Sequence, residues 1–279
     1  QGNGFFSDVS QMAGISKTEW SWSTLASDFD NDGHRDIFVA NGYRRDLFDG
    51  DIQQKQEMYV RANMSKYNSA EEMFSKGFKE YMSIYDPIKV RNYLFKNKGG
   101  LKFENVSEAW GFKDSTFSNG AAVADFDNDG DLDLVINNLD GESDLYENVT
   151  DKKNNYLRLK MEGPAQNRDG IGAKISLYYE GKLQQFFQQK TVRGYLSSND
   201  PVVHFGVGKT DKIDSAVIVW PDGKSNSLQN LTTNQVVKVN YQQSVQSGNH
   251  HYVYDPLFAE VTNQFLSTPF LHTENKLDE

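Results

Sequence analysis

The chain contains no cysteine, six prolines and five histidines. The missing thiols exclude disulfides, thiolate metal sites and a cysteine nucleophile. They fit either the cytoplasm or a bacterial export route in which disulfides are optional. Long apolar runs are missing too. The longest, residues 216–220, falls far short of the roughly 20 residues a membrane helix needs, so no membrane span is expected. Positive charge is scarce, with 29 Lys and Arg against 39 Asp and Glu and a net charge of −10. That balance gives nucleic acid no basic face to bind. The opening residues, QGNGFFSDVS, do not read as a signal peptide. We expect either a leader already removed or, in keeping with the repeats described below, a slice of a longer protein.

What the chain has in excess is acid, in two places. Asp28, Asp30, Asp32 and Asp36, then Asp125, Asp127, Asp129, Asp131 and Asp133, account for all but one unit of the net charge. Concentrated acid of this kind points to cation capture. The 37% of hydrophobic residues and 13% of aromatics in 279 residues are enough for a packed core, in one large domain or two ordinary ones. This is not the composition of a disordered chain.

The acidic loops recur in register. Phe6 matches Phe103, Val9 matches Val106, and SDFDNDGHRDIFVANGY at 27–43 matches ADFDNDGDLDLVINNLD at 124–140, all at an offset of 97. A third opening, LFAEVT, begins at residue 257. Fixed-register self-similarity marks a stacked or radial array, and a unit begun at 257 predicts that more units lie outside this chain. The apolar runs at 37–40 and 132–136, bounded by Asp, Asn and Gly, read as buried strands. Between the copies, residues 51–85 differ in character. Ser69 to Glu72 has the form of a capping box, and Phe74, Phe78 and Tyr81 follow at helical spacing. One or two helices are expected here, packing on the edge of the β-domain or serving as a partner-binding arm.

From about residue 154 the period changes to two. Leu157, Leu159 and Met161 alternate with Arg158 and Lys160, and Ala173, Ile175, Leu177 and Tyr179 with Lys174, Ser176 and Tyr178. Further runs at 185–192, 202–205, 215–220 and 236–239, with a PDGK turn at 221–224, predict a small antiparallel sandwich or barrel. The polar stretch 242–254 reads as a linker.

The chemistry of the acidic loops follows from their spacing. Calcium is a hard cation that takes six to eight oxygens, commonly carboxylates and a backbone carbonyl. Aspartates at positions 1, 3 and 5 point inward from a tightly curved loop, and the glycine at position 6 permits the reversal. Position 7, His34 or Asp131, offers a carbonyl, and position 9, Asp36 or Asp133, returns a carboxylate as the next strand begins. An EF-hand requires a bidentate Glu at position 12, where this chain has Val39 and Ile136. The bland alternative is a plain Asp/Asn/Gly turn, but two copies with the same placed groups favour two calcium sites. Without a cation, neighbouring carboxylates repel by roughly a kcal/mol or more per pair.

These loops resemble the FG-GAP or VCBS repeats of integrin-α-type β-propellers. The segments NNYLRLK, GIGAKISLYY, TVRGYLSSNDPVVHFGVGK and VIVWPDGK resemble the ASPIC/UnbV domain that accompanies such repeats in surface proteins. The resemblance implies propeller blades with calcium in the loop between two blade strands. It implies as ligands Asp28, Asp30, Asp32, the His34 carbonyl and Asp36, and their equivalents from Asp125 to Asp133. The expected fold is mainly β, with propeller-type blades that are incomplete in this chain, a helical insertion, and a small antiparallel sandwich or barrel. The expected segments are a first blade at 1–50, the insertion at 51–90, a second blade at 91–150, the β-domain at 154–241, a linker at 242–254 and the start of a further repeat at 255–279.

Other motifs carry less. GVGKT at 206–210 mimics the end of a phosphate loop, but Val203 stands where a glycine is needed. No G-x-S-x-G elbow occurs. His204 reads as a packed, hydrogen-bonded imidazole, and His250 and His251 as linker residues. Asn63, Asn105, Asn148 and Asn230 open N-x-S/T sequons. Trp20, Trp22 and Trp110 read as core packing or a carbohydrate-stacking patch. The functional expectation is a non-enzymatic, calcium-binding adhesion or ligand-binding module, extracellular, on the cell surface or periplasmic. Its partners are an unknown protein or glycan and further blades of the parent chain. A polysaccharide-processing enzyme and a structural spacer are the alternatives.

Overall fold

The computed structural model describes residues 7–44, 50–85, 87–150 and 153–246. After a short helix α1 (Ser10–Ala13), β1 (Ser21–Ser27) and β2 (Asp36–Asn41) form an antiparallel hairpin that closes with Ser27 opposite Asp36. β1 alternates between exposed and buried positions, whereas β2 is buried along almost its whole length. Three helices follow: α2 (Gly50–Asn63), α3 (Ala70–Lys76) and α4 (Phe78–Met82). α3 opens as the sequence predicts. Ser69 Oγ accepts the N–H of Glu72 at 3.1 Å, and the Glu72 carboxylate reaches back to the Asn68 N–H at 2.9 Å. The rings of Phe74 and Tyr81 meet edge to face at 5.2 Å, so the helices hold part of their apolar surface against one another.

The chain then returns to the sheet it left. β3 (Val90–Arg91) precedes β4 (Tyr93–Asn97) and β5 (Phe103–Asn105), and the first sheet has the order β1-β2-β4-β5. Residues 93–105, expected within the segment 91–150 of the second blade, thus hydrogen-bond into the sheet of the first acidic loop. β6 (Ser115–Thr116) pairs with β3, and β7 (Ser118–Ala124), β8 (Asp133–Asn138) and β9 (Asp144–Tyr146) build the second sheet. Its hairpin closes with Ala124 opposite Asp133, as in the first copy. Leu25, Phe38 and Leu94 of the first sheet and Val123, Leu134 and Ile136 of the second belong to one buried cluster.

The remaining strands are β10 (Asn155–Glu162), β11 (Lys174–Tyr179), β12 (Lys182–Gln188), β13 (Ser198–Asn199), β14 (Val203–Gly208), β15 (Lys212–Val219), β16 (Lys224–Thr232), β17 (Gln235–Asn240) and β18 (Val245–Gln246). Sheets of order β14-β10-β17 and β12-β11-β15-β16-β18 enclose a second core of Leu157, Leu159, Ile175, Leu177, Phe205, Ile218 and Trp220. This is a sandwich, and its smaller sheet is mixed, since β10 and β17 pair in parallel. The other pairings within the sandwich are antiparallel, as expected, and this one is parallel because the chain reaches β17 by way of the opposite sheet. β13 leaves the sandwich to pair in parallel with the edge strand β7 of the second blade.

The protein is mainly β, with several sheets and, among the described residues, no closed barrel. The first residues of the linker expected from 242 are built into the sandwich. Residues 241–243 form a 3-10 turn, and β18 adds to the edge of β16. The rest of that linker and the further repeat expected at 255–279 lie outside the described residues. No helix among those described is long and apolar enough to cross a membrane.

Candidate metal centre

Each acidic loop is the turn of a blade hairpin, and the two loops repeat one set of hydrogen bonds. In the first, Asp28 accepts the N–H groups of Asp32 (3.1 Å) and Gly33 (2.8 Å). In the second, Asp125 accepts those of Asp129 (3.0 Å) and Gly130 (3.1 Å). The reversal needs left-handed backbone at position 4 (Asn31 φ 58°, Asn128 φ 62°) and position 6 (Gly33 φ 94°, Gly130 φ 97°). Asparagine tolerates that region and glycine prefers it, which is why N-D-G recurs.

The position 9 aspartates have a task the sequence did not reveal. Asp36 accepts the N–H of Phe29 at 3.1 Å and that of Asn97 at 2.8 Å. Asp133 accepts the N–H of Phe126 at 2.8 Å and that of Asn148 at 2.8 Å. Asp36 thus ties its loop to the end of β4, and Asp133 ties its loop to the chain just beyond β9. The acidic oxygens converge: Asp28, Asp30 and Asp32 offer oxygens within 4.8 Å of one another, as do Asp125, Asp127 and Asp133. Asp36 and Asp129 lie outside those two groups. At position 7, His34 donates its N–H to Asp32 at 2.9 Å and Asp131 donates to Asp129 at 3.2 Å. The Asp131 side chain is itself buried.

Gathering these acids is costly in charge. Burial first, and then repulsion from Asp32, Asp36 and Asp30, pushes the Asp28 carboxyl well above the usual range, despite the Gly33 N–H. Burial likewise pushes Asp36 up to about 7, against the opposing bonds from Asn97 and Phe29. Asp125 is raised by burial, with the Arg158 guanidinium pulling it back. Buried carboxylates that resist ionising are relieved by a cation. An all-oxygen donor set suits a hard cation of the calcium type rather than zinc, which favours nitrogen and sulfur. The residues present fit such an ion.

Two side chains supply positive charge to the loops. Lys96 Nζ pairs with Asp30 and lies 3.5 Å from Asp32. Burial disfavours its charge, yet the bonds to Asp30 and Asp32 prevail and the net shift is upward. Arg158 lies within the sandwich strand β10. Its Nη1 stands 2.5 Å from Asp125 and its Nη2 2.9 Å from Asp200. The alternation of β10 predicted an outward-facing Arg158, but the second loop covers that face and the side chain is buried.

A cavity of about 590 Å³ opens between the blades, lined by Leu94, Lys96, Trp110, Phe112, Tyr146 and Asn148 among others. Lys96 Nζ lies 5.8 Å from the centre of the Trp110 ring. Trp20 and Trp22 pack apart from it, Trp20 on Tyr43 and Trp22 on Tyr195, each at 5.1 Å. His204 is a bonded imidazole as expected. Asn31 donates its amide to the Gly130 carbonyl, which leaves Oδ1 to accept from His204 Nε2 at 2.6 Å. Burial lowers the His204 pKa to about 3. The Asn148 amide of one sequon is spent on the carbonyls of Phe29 (2.7 Å) and Leu132 (3.1 Å). GVGKT falls across the end of β14 and the turn into β15, with no helix to form a phosphate loop.

Residues 163–246 match the family model described as ASPIC and UnbV, and residues 77–136 match the FG-GAP-like repeat model. The chain is similar to cartilage acidic protein 1 of Mus musculus, 27% identical over 275 residues, covering 87% of this chain and 41% of the relative. It is similar to the same protein of Xenopus tropicalis (27% over 281 residues, 86% and 40%) and of Homo sapiens (26% over 273 residues, 86% and 39%). The chain thus spans about two fifths of the length of the curated relatives it matches. With an FG-GAP-like repeat followed by an ASPIC and UnbV segment, it is homologous to cartilage acidic protein 1.

Proposed function

We propose that this chain is a non-enzymatic, calcium-binding module of an exported protein, working outside the cell or in the periplasm. In this reading one calcium ion is held by Asp28, Asp30, Asp32 and Asp36 with the His34 carbonyl. The other is held by Asp125, Asp127, Asp129 and Asp133 with the carbonyl of Asp131. The ions supply neutralising charge, and the protein supplies the curvature that gathers the oxygens. The observation carrying the proposal is the same bond-by-bond loop built twice, each with three carboxylates converging within 4.8 Å. The cation stiffens the blades, and the cavity beside Trp110 is the face offered to a protein or glycan ligand. Further blades of the parent chain flank it.

The test is thermal unfolding with calcium and with chelator. Linkage gives about 2.7 kcal/mol per site when calcium stands a hundredfold above its dissociation constant. For a chain of this size that raises the melting temperature by roughly 5–10 °C. An identical melting temperature in chelator and in millimolar calcium would overturn the proposal. Turnover of a glycan, abolished by a substitution outside the acidic loops, would overturn its non-enzymatic part.

A further inference from the structure

The outer faces of both loops are covered by the sandwich. On the first loop, Gly208 donates its N–H to the Asn31 carbonyl at 2.8 Å, and Asn154 donates its amide to the Asp30 carbonyl at 2.8 Å. Gly206 approaches so closely that an added Cβ would lie 2.1 Å from Asp28 Oδ2 and 2.5 Å from Asn31 Cα. On the second loop, the Tyr156 ring fills the space over Gly130, where a Cβ would meet its edge at 2.0 Å. Arg158 reaches Asp125 from the same strand. Asn31 is the hub, bonded by its side chain to Gly130 of the other loop (3.1 Å) and to His204 of the sandwich (2.6 Å).

Most of these docking atoms are not the metal-binding oxygens. They are backbone carbonyls and the Asn31 amide, and their positions depend on how tightly each loop is curled. The curl in turn depends on aspartates that repel one another unless a cation shares them. We propose that the two metal loops are the seat on which the sandwich docks, and that metal occupancy sets how firmly the sandwich is held against the blades. The inference rests on the calcium reading above, and it makes the ion a clamp between the two halves of the protein. Coupling is reciprocal: if metal tightens docking, loosening docking weakens metal binding by the same factor.

The absence of cysteine makes the test direct. Spin labels on K102C in the first blade and K182C in the sandwich, both exposed positions, report their separation in the full chain. Calcium binding is measured on the same sample by calorimetry. The expected result is one narrow distance distribution with calcium and a broader one with chelator. In N31G, which keeps every carboxylate and the left-handed backbone, the distribution stays broad in calcium, and calcium binds about fivefold or more weakly. Calcium binding with an unchanged distance distribution, or an N31G affinity equal to wild type, overturns the clamp and leaves the calcium sites standing. No calcium binding at all overturns both.

Discussion

The two acidic loops share an offset of 97 residues, a backbone path and a hydrogen-bond scheme, yet they are neutralised from opposite directions. The first is served by Lys96 from its own blade, a side chain 23% exposed that bridges the carboxylates at positions 3 and 5. The second is served by Arg158 from the sandwich, 6% exposed and anchored also on Asp200. The third strands diverge at that point. Asn97 and Asn148 make equivalent bonds to Asp36 and Asp133, but the residue before each is Lys96 in one blade and Glu147 in the other. On the calcium reading proposed above, the Lys96 ammonium, paired with Asp30 and near Asp32, is the competitor that an entering cation would displace. A buried guanidinium with two carboxylate partners is a fixed part of the packing.

The contrast breaks most visibly at Arg158. R158M leaves Asp125 and Asp200 without their shared partner in a buried setting, and such losses cost about 3 kcal/mol or more. Chemical denaturation should report that loss with calcium present, because the ion does nothing for Asp200. A loss no greater than that of K96M would remove the distinction between the two cations. K96M is the smaller perturbation: Lys96 keeps part of its side chain in water, so in chelator the loss is below the about 3 kcal/mol expected of R158M. Freed of the ammonium, the first loop binds calcium about tenfold or more tightly, given the strength of a unit charge at about 4 Å near a protein surface. A titration that resolves two constants should move only one of them. Equal movement of both would mean that Lys96 acts on the whole surface field rather than on its own loop.

How legible these features were in the sequence follows from their range. The acidic loops were plain, because ligand spacing, the N-D-G reversal and the flanking apolar strands all lie within about a dozen residues. The cap of α3 was equally local. Membership of the first sheet was not: β2 and β4 are hydrogen-bonded neighbours separated by the whole helical insertion, and strand pairing across such a gap leaves no periodic trace. The parallel pairing of β17 with β10 was hidden for the same reason. Arg158 read as a solvent-facing residue of an alternating strand, since nothing in LRLK says that another domain covers that face. Asp36 and Asp133 were legible as carboxylates at position 9, and their bonds to Asn97 and Asn148 emerged only with the third strands in place.

If the two cages of aspartate oxygens each hold a hard divalent ion, the metal-stripped chain takes up two. Calorimetric titration of that chain with calcium counts them. The expected stoichiometry is two ions per chain, falling to one in D127N. No binding at millimolar calcium, or a stoichiometry unmoved by that substitution, would mean that the loops are not calcium sites.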